Sequence, residues 1–141
     1  MPQFKSELSK KNKYHISKHR YLELKHFCLQ YYEWKQRYKE LSPGDLNGSS
    51  GLLLYSDRQE WSDPTGNRAA ELADLSRWMR LVEDCCHEAD SQIWNYIFRG
   101  VTEGLSFETL KSFGIPCERD MYYDRYRRFF YILHSQKIQG L

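Results

Sequence analysis

The chain has 141 residues, about the size of one domain, and this length is enough to bury a core without disulfides. Aromatic residues make up 16% of it, which argues against a disordered chain, and the formal net charge of +2 alone indicates no partner. No apolar run approaches the roughly 20 residues needed to span a bilayer, so we expect no membrane association. The four cysteines lack Cys-x-x-Cys spacing and the first residues lack an apolar leader segment, which favours a cytoplasmic protein with free thiols.

Charge is distributed unevenly along the chain. Residues 1–40 carry ten Lys/Arg against four Asp/Glu, a balance of +6, and residues 109–141 carry six against three. Residues 41–108 carry five basic and twelve acidic side chains, a balance of −7. Two basic ends suit a polyanion or an acidic protein surface. The alternative is that these ends are solvated faces that pair with the acidic middle.

The first 41 residues are predicted to form a basic N-terminal arm followed by an aromatic amphipathic helix. Ser17 is a suitable N-cap, and apolar residues then recur at spacings of three and four as far as Leu41. Residues 42–66 contain Ser42-Pro43-Gly44 and a Gly/Ser-rich stretch, which predicts a flexible break that is either a linker or a contact element.

The remaining residues, 67–141, are predicted to form a helical core. Asp63-Pro64 is a typical helix start, and apolar spacings predict a helix over about 65–88. Asp90-Ser91 begins another helix, which Gly104 ends as a left-handed cap. The Leu52-Leu53-Leu54-Tyr55 run could be a short strand, a turn of helix or a plug onto the core, and all other periodic segments are helical. The expected fold class is therefore all-α, a helical bundle.

A helix-turn-helix is predicted at about 105–134. Ser106 caps a short helix over Phe107–Phe113, Gly114 ends this helix, and Pro116 opens the last one. A helix-turn-helix that ends in a basic, aromatic helix is typical of DNA-binding proteins.

Projection of the last helix at about 100° per residue separates a core face from a polar face. The predicted core face contains Met121, Tyr122, Tyr126, Phe129, Ile132 and Leu133. Arg125 falls within that face, so it must extend to solvent or find a partner there. The residues predicted to bind DNA are Lys111, Arg119, Tyr123, Arg127 and Arg128. Arginine can grip guanine or phosphate, and tyrosine and lysine can hold phosphate.

Two positions depart from the usual helix-turn-helix pattern. Leu110 stands four residues before the turn glycine, where a small residue is usual, and Asp120 stands six residues after it, where an apolar residue is usual. The alternative to a DNA reader is therefore a helical bundle whose terminal helix happens to be basic.

The stretch from Gly104-Leu-Ser-Phe-Glu through Gly114-Ile-Pro resembles the start of the helix-turn-helix in sigma factor region 4. Residues 114–130, together with Tyr14-His-Ile-Ser-Lys-His-Arg-Tyr and Tyr32-Glu-Trp-Lys, resemble small phage and prophage proteins of Gram-positive bacteria related to RinA/ArpU-type late transcriptional regulators. This resemblance implies an all-α fold, a bacterial host cytoplasm, promoter or operator binding and contact with RNA polymerase.

The residue patterns give no support to an enzyme. Neighbouring helical side chains point about 100° apart, so neither Cys86 and His87 nor Glu83 and Asp84 can easily act on one substrate. A phosphate-binding glycine loop and a nucleophile elbow are absent from the sequence. We therefore expect no catalysis, no cofactor and no metal.

The sequence leaves three functional hypotheses. The first is a DNA-binding transcription regulator. The second is a phage-encoded interaction module or inhibitor that docks on a host nucleic-acid machine, such as RNA polymerase or a CRISPR effector, and it is motivated by the acidic middle of the chain. The third is an assembly role, in which the aromatic first helix forms a homo-oligomer.

Overall fold

A computed structural model describes residues 13–42 and 64–140, with the side chains of 13–42 and 66–137. Across these ranges all regular structure is helical, which confirms the all-α expectation. The helices are α1 (Lys18–Cys28), α2 (Tyr31–Leu41), α3 (Pro64–Ala89), α4 (Trp94–Glu103), α5 (Phe107–Ser112) and α6 (Arg119–Gly140). None of these described helices is long and apolar enough to cross a bilayer. The predicted flexible break and its Asp63 N-cap lie almost entirely outside the described residues.

The described residues form two compact units. The larger unit contains residues 13–30 and 81–140, and the smaller contains residues 31–42 and 64–80. In the smaller unit, the rings of Trp34 and Trp78 lie 5.6 Å apart. Arg37 Nε donates to Glu71 Oε2 at 2.8 Å, an exposed pair of the kind that contributes little to the stability of a fold.

The prediction of a single helix from Ser17 to Leu41 is wrong in one respect, because the chain forms two helices there. Ser17 does cap α1, since its hydroxyl accepts from the Arg20 backbone N–H at 3.2 Å. The helix ends at Cys28, and the Gln30 N–H then turns back to the Phe27 carbonyl at 3.2 Å. The apolar spacing continues across this turn, so periodicity alone predicts one helix.

The core of the larger unit is built mainly by α1, α4 and α6. Tyr21 of α1 packs edge-on against Phe130 of α6 with ring centroids 5.1 Å apart. The Tyr21 and Tyr126 hydroxyls also form a buried hydrogen bond of 2.7 Å. On α4, Gly100 is buried directly against Tyr122. The backbone of α4 can approach α6 so closely because glycine has no side chain.

The core face of α6 differs from the projection at three positions. Tyr122, Tyr126, Phe129 and Leu133 are buried as predicted, but Phe130 is buried as well. Met121 is 39% exposed and Ile132 is half-buried, so these two assignments were wrong. The buried face of α6 is centred nearer Tyr126 than the projection predicted. The helix is therefore rotated about its axis relative to the prediction, and Phe130 points inward.

The helix-turn-helix is not confirmed. Gly104 ends α4 with φ 73°, and the Ser106 hydroxyl accepts from the Thr109 N–H at 3.2 Å, as the sequence predicts. However, α6 begins at Arg119, so residues 113–118 separate α5 from α6, whereas a helix-turn-helix usually has a turn of about three or four residues.

Asp90 links the turn before α4 to α6. Its Oδ1 accepts from the backbone N–H groups of Gln92 and Ile93 at 2.7 and 3.0 Å, and its Oδ2 accepts from Arg125 Nε at 2.9 Å. Arg125, which the projection placed in an apolar face, thus finds a partner. Burial alone raises the pKa of the Asp90 carboxyl, but these hydrogen bonds outweigh burial and lower the pKa below its usual range.

Asp90→Asn is expected to reduce the free energy of unfolding by about 1–3 kcal/mol at pH 7, because the charge-assisted bond to Arg125 is lost. Since the folded pKa of Asp90 is depressed, its stabilising effect is complete above the unfolded pKa of about 3.9 and disappears as the pH falls through the folded value. Urea titrations at pH 7 and pH 3 should therefore show the wild-type advantage shrinking in acid. Asp74→Asn, which breaks only an exposed pair with Arg77, is the control. An advantage equally large at pH 3 would contradict this account.

Candidate nucleic-acid interface

The residues predicted to bind DNA lie on separate parts of the larger unit. Lys111 is exposed on α5. Arg119 and Tyr123 lie in the first two turns of α6, while Arg127 and Arg128 lie farther along it. Because Arg119 and Arg128 are nine residues apart, their side chains leave the helix about half a turn apart. The four predicted DNA-binding residues of α6 therefore do not all lie on one face of the helix.

Arg119 is occupied by contacts within its own unit. It forms an ion pair with Glu108 of α5, and its guanidinium lies 5.2 Å from the centroid of the Tyr123 ring. Tyr123 in turn packs edge-on against Tyr122 and Tyr126. A nucleic-acid phosphate would have to compete with Glu108 for Arg119.

Arg128 contacts the N-terminal arm. Its Nη1 donates to the Tyr14 hydroxyl at 3.3 Å, and this hydrogen bond lowers the pKa of Tyr14. The Tyr14 ring lies 5.9 Å from that of Tyr131, and Lys13 Nζ lies 5.0 Å from the Tyr14 centroid. The arm therefore brings a further lysine to the side of α6 that carries Arg128.

Arg20 of α1 joins the same side of α6 through His134. Its Nε donates to His134 Nδ1 at 2.9 Å. Burial, and then the positive charge of Arg20, lower the pKa of His134, so its imidazole is neutral at pH 7. His134 also lies near Tyr131, with ring centroids 6.5 Å apart. These contacts connect the N-terminal arm, α1 and α6.

We call this group the cationic cluster and define it as Lys13, Tyr14, His15, Arg20, Arg127, Arg128, Tyr131 and His134. Among the described residues, the only carboxylate that pairs with one of its four Lys/Arg side chains is Glu23, 3.2 Å from Arg20. Within the same ranges, Nε of Arg127 and of Arg128 is buried without a hydrogen-bond partner. The Nη2 atom of Arg20 and Nδ1 of His15 also lack one. The cluster thus combines excess positive charge with unused hydrogen-bonding capacity.

The sequence interpretation identified Arg127 and Arg128 but missed their neighbours from the arm and α1. The signal for these was the +6 balance of residues 1–40. Charge balance cannot assign single residues, because only the packing of α1 on α6 decides which cations share a surface.

The buried cysteines of the larger unit belong to its core. Burial raises the pKa of Cys85 to about 12 and raises those of Cys28 and Cys86 well above the ordinary value. These thiols are therefore protonated at neutral pH and unsuited to nucleophilic attack. The exposed His87 stacks on Trp94 instead, with ring centroids 3.9 Å apart.

No family model matches this sequence, and neither a curated protein nor a solved structure is significantly similar to the chain.

Proposed function

We propose that this protein is a DNA-binding transcription regulator that contacts the phosphate backbone of duplex DNA through the cationic cluster. The observation that carries the proposal is the assembly of Lys13, Arg20 and Arg128, from three segments of the chain, around Tyr14 and His134. Arg127 is the neighbour of Arg128 on α6. Among the described residues, Glu23 is the one carboxylate that forms an ion pair with these cations. Since DNA is a dense polyanion, such a surface gains affinity by releasing counterions.

Side-chain chemistry also supports a phosphate ligand. Arg127 and Arg128 are half-buried, and their Nε atoms are buried without a hydrogen bond to a described residue. Turning these side chains toward a phosphate oxygen would give Nε a partner, and Arg128 would exchange its hydrogen bond to Tyr14 for one to a charged group. Tyr14 and Tyr131 supply aromatic surface between the cations, an arrangement common at nucleic-acid sites.

The regulatory part of the proposal comes from the resemblance of residues 104–130 to late phage regulators. Because α5 and α6 are separated by a six-residue connection, the proposal does not require insertion of α6 into the major groove as in a standard helix-turn-helix. Lys111 and Arg119 are assigned a supporting role, as phosphate contacts at the edge of the interface.

A salt series tests this function. We expect the purified chain to bind a duplex of about one to two helical turns, with log K falling against log salt at a slope of roughly −3 to −4 for four phosphate contacts. Fluorescence anisotropy from low to near-physiological salt measures this slope. A double-stranded oligonucleotide that fails to bind even at low salt would refute the proposal.

A second candidate function, docking on a host nucleic-acid-binding protein, is favoured by the end of α3. Asp84 and Glu88 are exposed there, and neither forms an ion pair within the described parts of the chain. An acidic surface of this kind can occupy a basic site built for nucleic acid. Pull-down from nuclease-treated lysate separates the two functions, because only a protein partner survives that treatment.

A further inference from the structure

A cavity of about 350 Å³ lies in the larger unit between α1, α4, the start of α5 and α6. Its volume is at the lower end of the range for small-molecule sites, about 300–1,000 Å³. Tyr123, Tyr126 and Phe130 of α6 line one side, and Leu29 and Leu105 contribute aliphatic surface. A flat apolar ring is the ligand group that matches such walls.

Charged groups converge on the same cavity. Lys25 of α1 lines it, as do Arg119 of α6 and Glu108 of α5. Glu108 is the carboxylate among the lining residues, and it pairs with Arg119. A ligand that carries a carboxylate can take the place of Glu108 on that arginine.

Arg119 is the group most suited to hold that charge. Its guanidinium is already oriented over the Tyr123 ring at 5.2 Å, with Glu108 as its acidic partner. The Glu108 side chain is 68% exposed, and exposed ion pairs contribute little to stability. A ligand carboxylate can therefore replace Glu108 at small cost and gain bidentate hydrogen bonds.

The glycines of α4 contribute to the shape of the cavity. Gly100 and Gly104 both line it, and neither places a side chain in the space. Gly104 has φ 73°, a conformation that disfavours other residues, and Gly100 is fixed by the close approach of Tyr122.

From these features we propose that the cavity binds a small aromatic carboxylic acid, with its ring between α1 and α6 and its carboxylate on Arg119. This inference does not rest on the proposed DNA binding, although Arg119 also lies at the edge of the proposed DNA interface. The site would give the chain a small-molecule effector.

Isothermal titration calorimetry of the full chain with three probes tests the ligand class. We expect 2-naphthoate to bind saturably at one site, and both uncharged 2-naphthamide and acetate to bind at least about tenfold more weakly, since each lacks one of the two recognised groups. Equal binding of naphthoate and naphthamide would overturn the proposed role of the charge. Absence of naphthoate binding would overturn the site.

Two opposite effects of substitution test the role of Arg119. Arg119→Gln should weaken naphthoate binding about tenfold, because the charge-assisted bonds are lost. Glu108→Gln should tighten it about twofold to fivefold, because the competing carboxylate is removed. A purely structural ion pair would make both variants equally poor binders, and that result would contradict the proposal.

The location of the ligand is tested by filling the cavity. Leu105→Trp should abolish naphthoate binding, while Lys39→Gln, an exposed change on α2 outside the cavity, should leave it unchanged. Circular dichroism identifies any variant that fails to fold. Because Glu108 is exposed, Glu108→Gln is expected to fold and so still tests the proposal if another variant does not. Unaltered binding by a folded Leu105→Trp protein would place the ligand elsewhere and overturn the proposal.

Discussion

Charge reversal at Arg127 and Arg128 together is expected to lower the affinity of the chain for duplex DNA by roughly 100-fold or more at low salt. Each lost charge-assisted contact to phosphate costs about 1.5–3 kcal/mol, and reversal adds repulsion. The salt dependence should also become less steep, by about one unit of slope for each contact removed. Fluorescence anisotropy with one duplex across a salt series measures both quantities.

The control for this variant changes the same net charge in the other unit. Lys35→Glu with Lys39→Glu replaces two exposed cations of α2 and also lowers the net charge by four. If binding depended only on net charge, both double variants would lose affinity equally, which would contradict an interface at the cationic cluster. Because Arg127 and Arg128 are partly buried, the corresponding Gln variants and thermal melts distinguish lost binding from lost folding.

A second large effect is expected at the contact between α4 and α6. A Cβ atom at position 100 would lie 2.2 Å from the Tyr122 hydroxyl oxygen. Tyr122 is fully buried and its ring packs against Phe107 and Tyr126, so it cannot move aside cheaply. Gly100→Ala should therefore reduce the free energy of unfolding by about 3 kcal/mol or more, measured by urea denaturation.

Tyr122→Phe should not lower the free energy of unfolding as Gly100→Ala does. The Tyr122 hydroxyl is buried without a hydrogen-bond partner among the described residues, and an unsatisfied buried hydroxyl costs about 1–3 kcal/mol. Its burial also raises the pKa of Tyr122 well above the usual value, so the group stays neutral. We expect Tyr122→Phe to leave the stability unchanged or to raise it by about 1 kcal/mol.

The double variant Gly100→Ala/Tyr122→Phe completes a thermodynamic cycle. Without the hydroxyl, the nearest ring atom lies 3.5 Å from the new Cβ, which is an ordinary contact. Alanine also favours a helix interior over glycine by up to about 1 kcal/mol. The double variant should therefore be at least as stable as wild type, with strong non-additivity. Gly66→Ala, an exposed position on α3, is the control and should be nearly neutral. Additive effects would show that the steric contact is not the cause.

The helix ends include both correct predictions and one that is wrong. Ser17, Ser106 and Gly104 act as the sequence predicts, because capping depends on one side chain or one backbone angle within a few residues. The break after Cys28 was missed because apolar spacing continues through it. The rotation of α6 that buries Phe130 and exposes Met121 was missed because a projection gives relative directions and not the partner helix.

The candidate site was only partly predictable for the same reason. Arg127 and Arg128 could be identified from the polar face of a basic helix. Their grouping with Lys13 and Arg20, more than a hundred residues away in sequence, could not be identified in this way. Nor could the pairing of Arg119 with Glu108, which sets that arginine apart from Arg127 and Arg128 and places it at the cavity.

By itself, the sequence determined the all-α class, the caps of the short helices and the excess of cations at both ends of the chain. These properties arise from local propensity and composition, which act over a few residues or simply add along the chain. Only the tertiary structure decided which cations share a surface, which are neutralised and where a cavity remains. Those outcomes depend on side chains brought together by helix packing, and packing follows from the shapes of all the faces that meet.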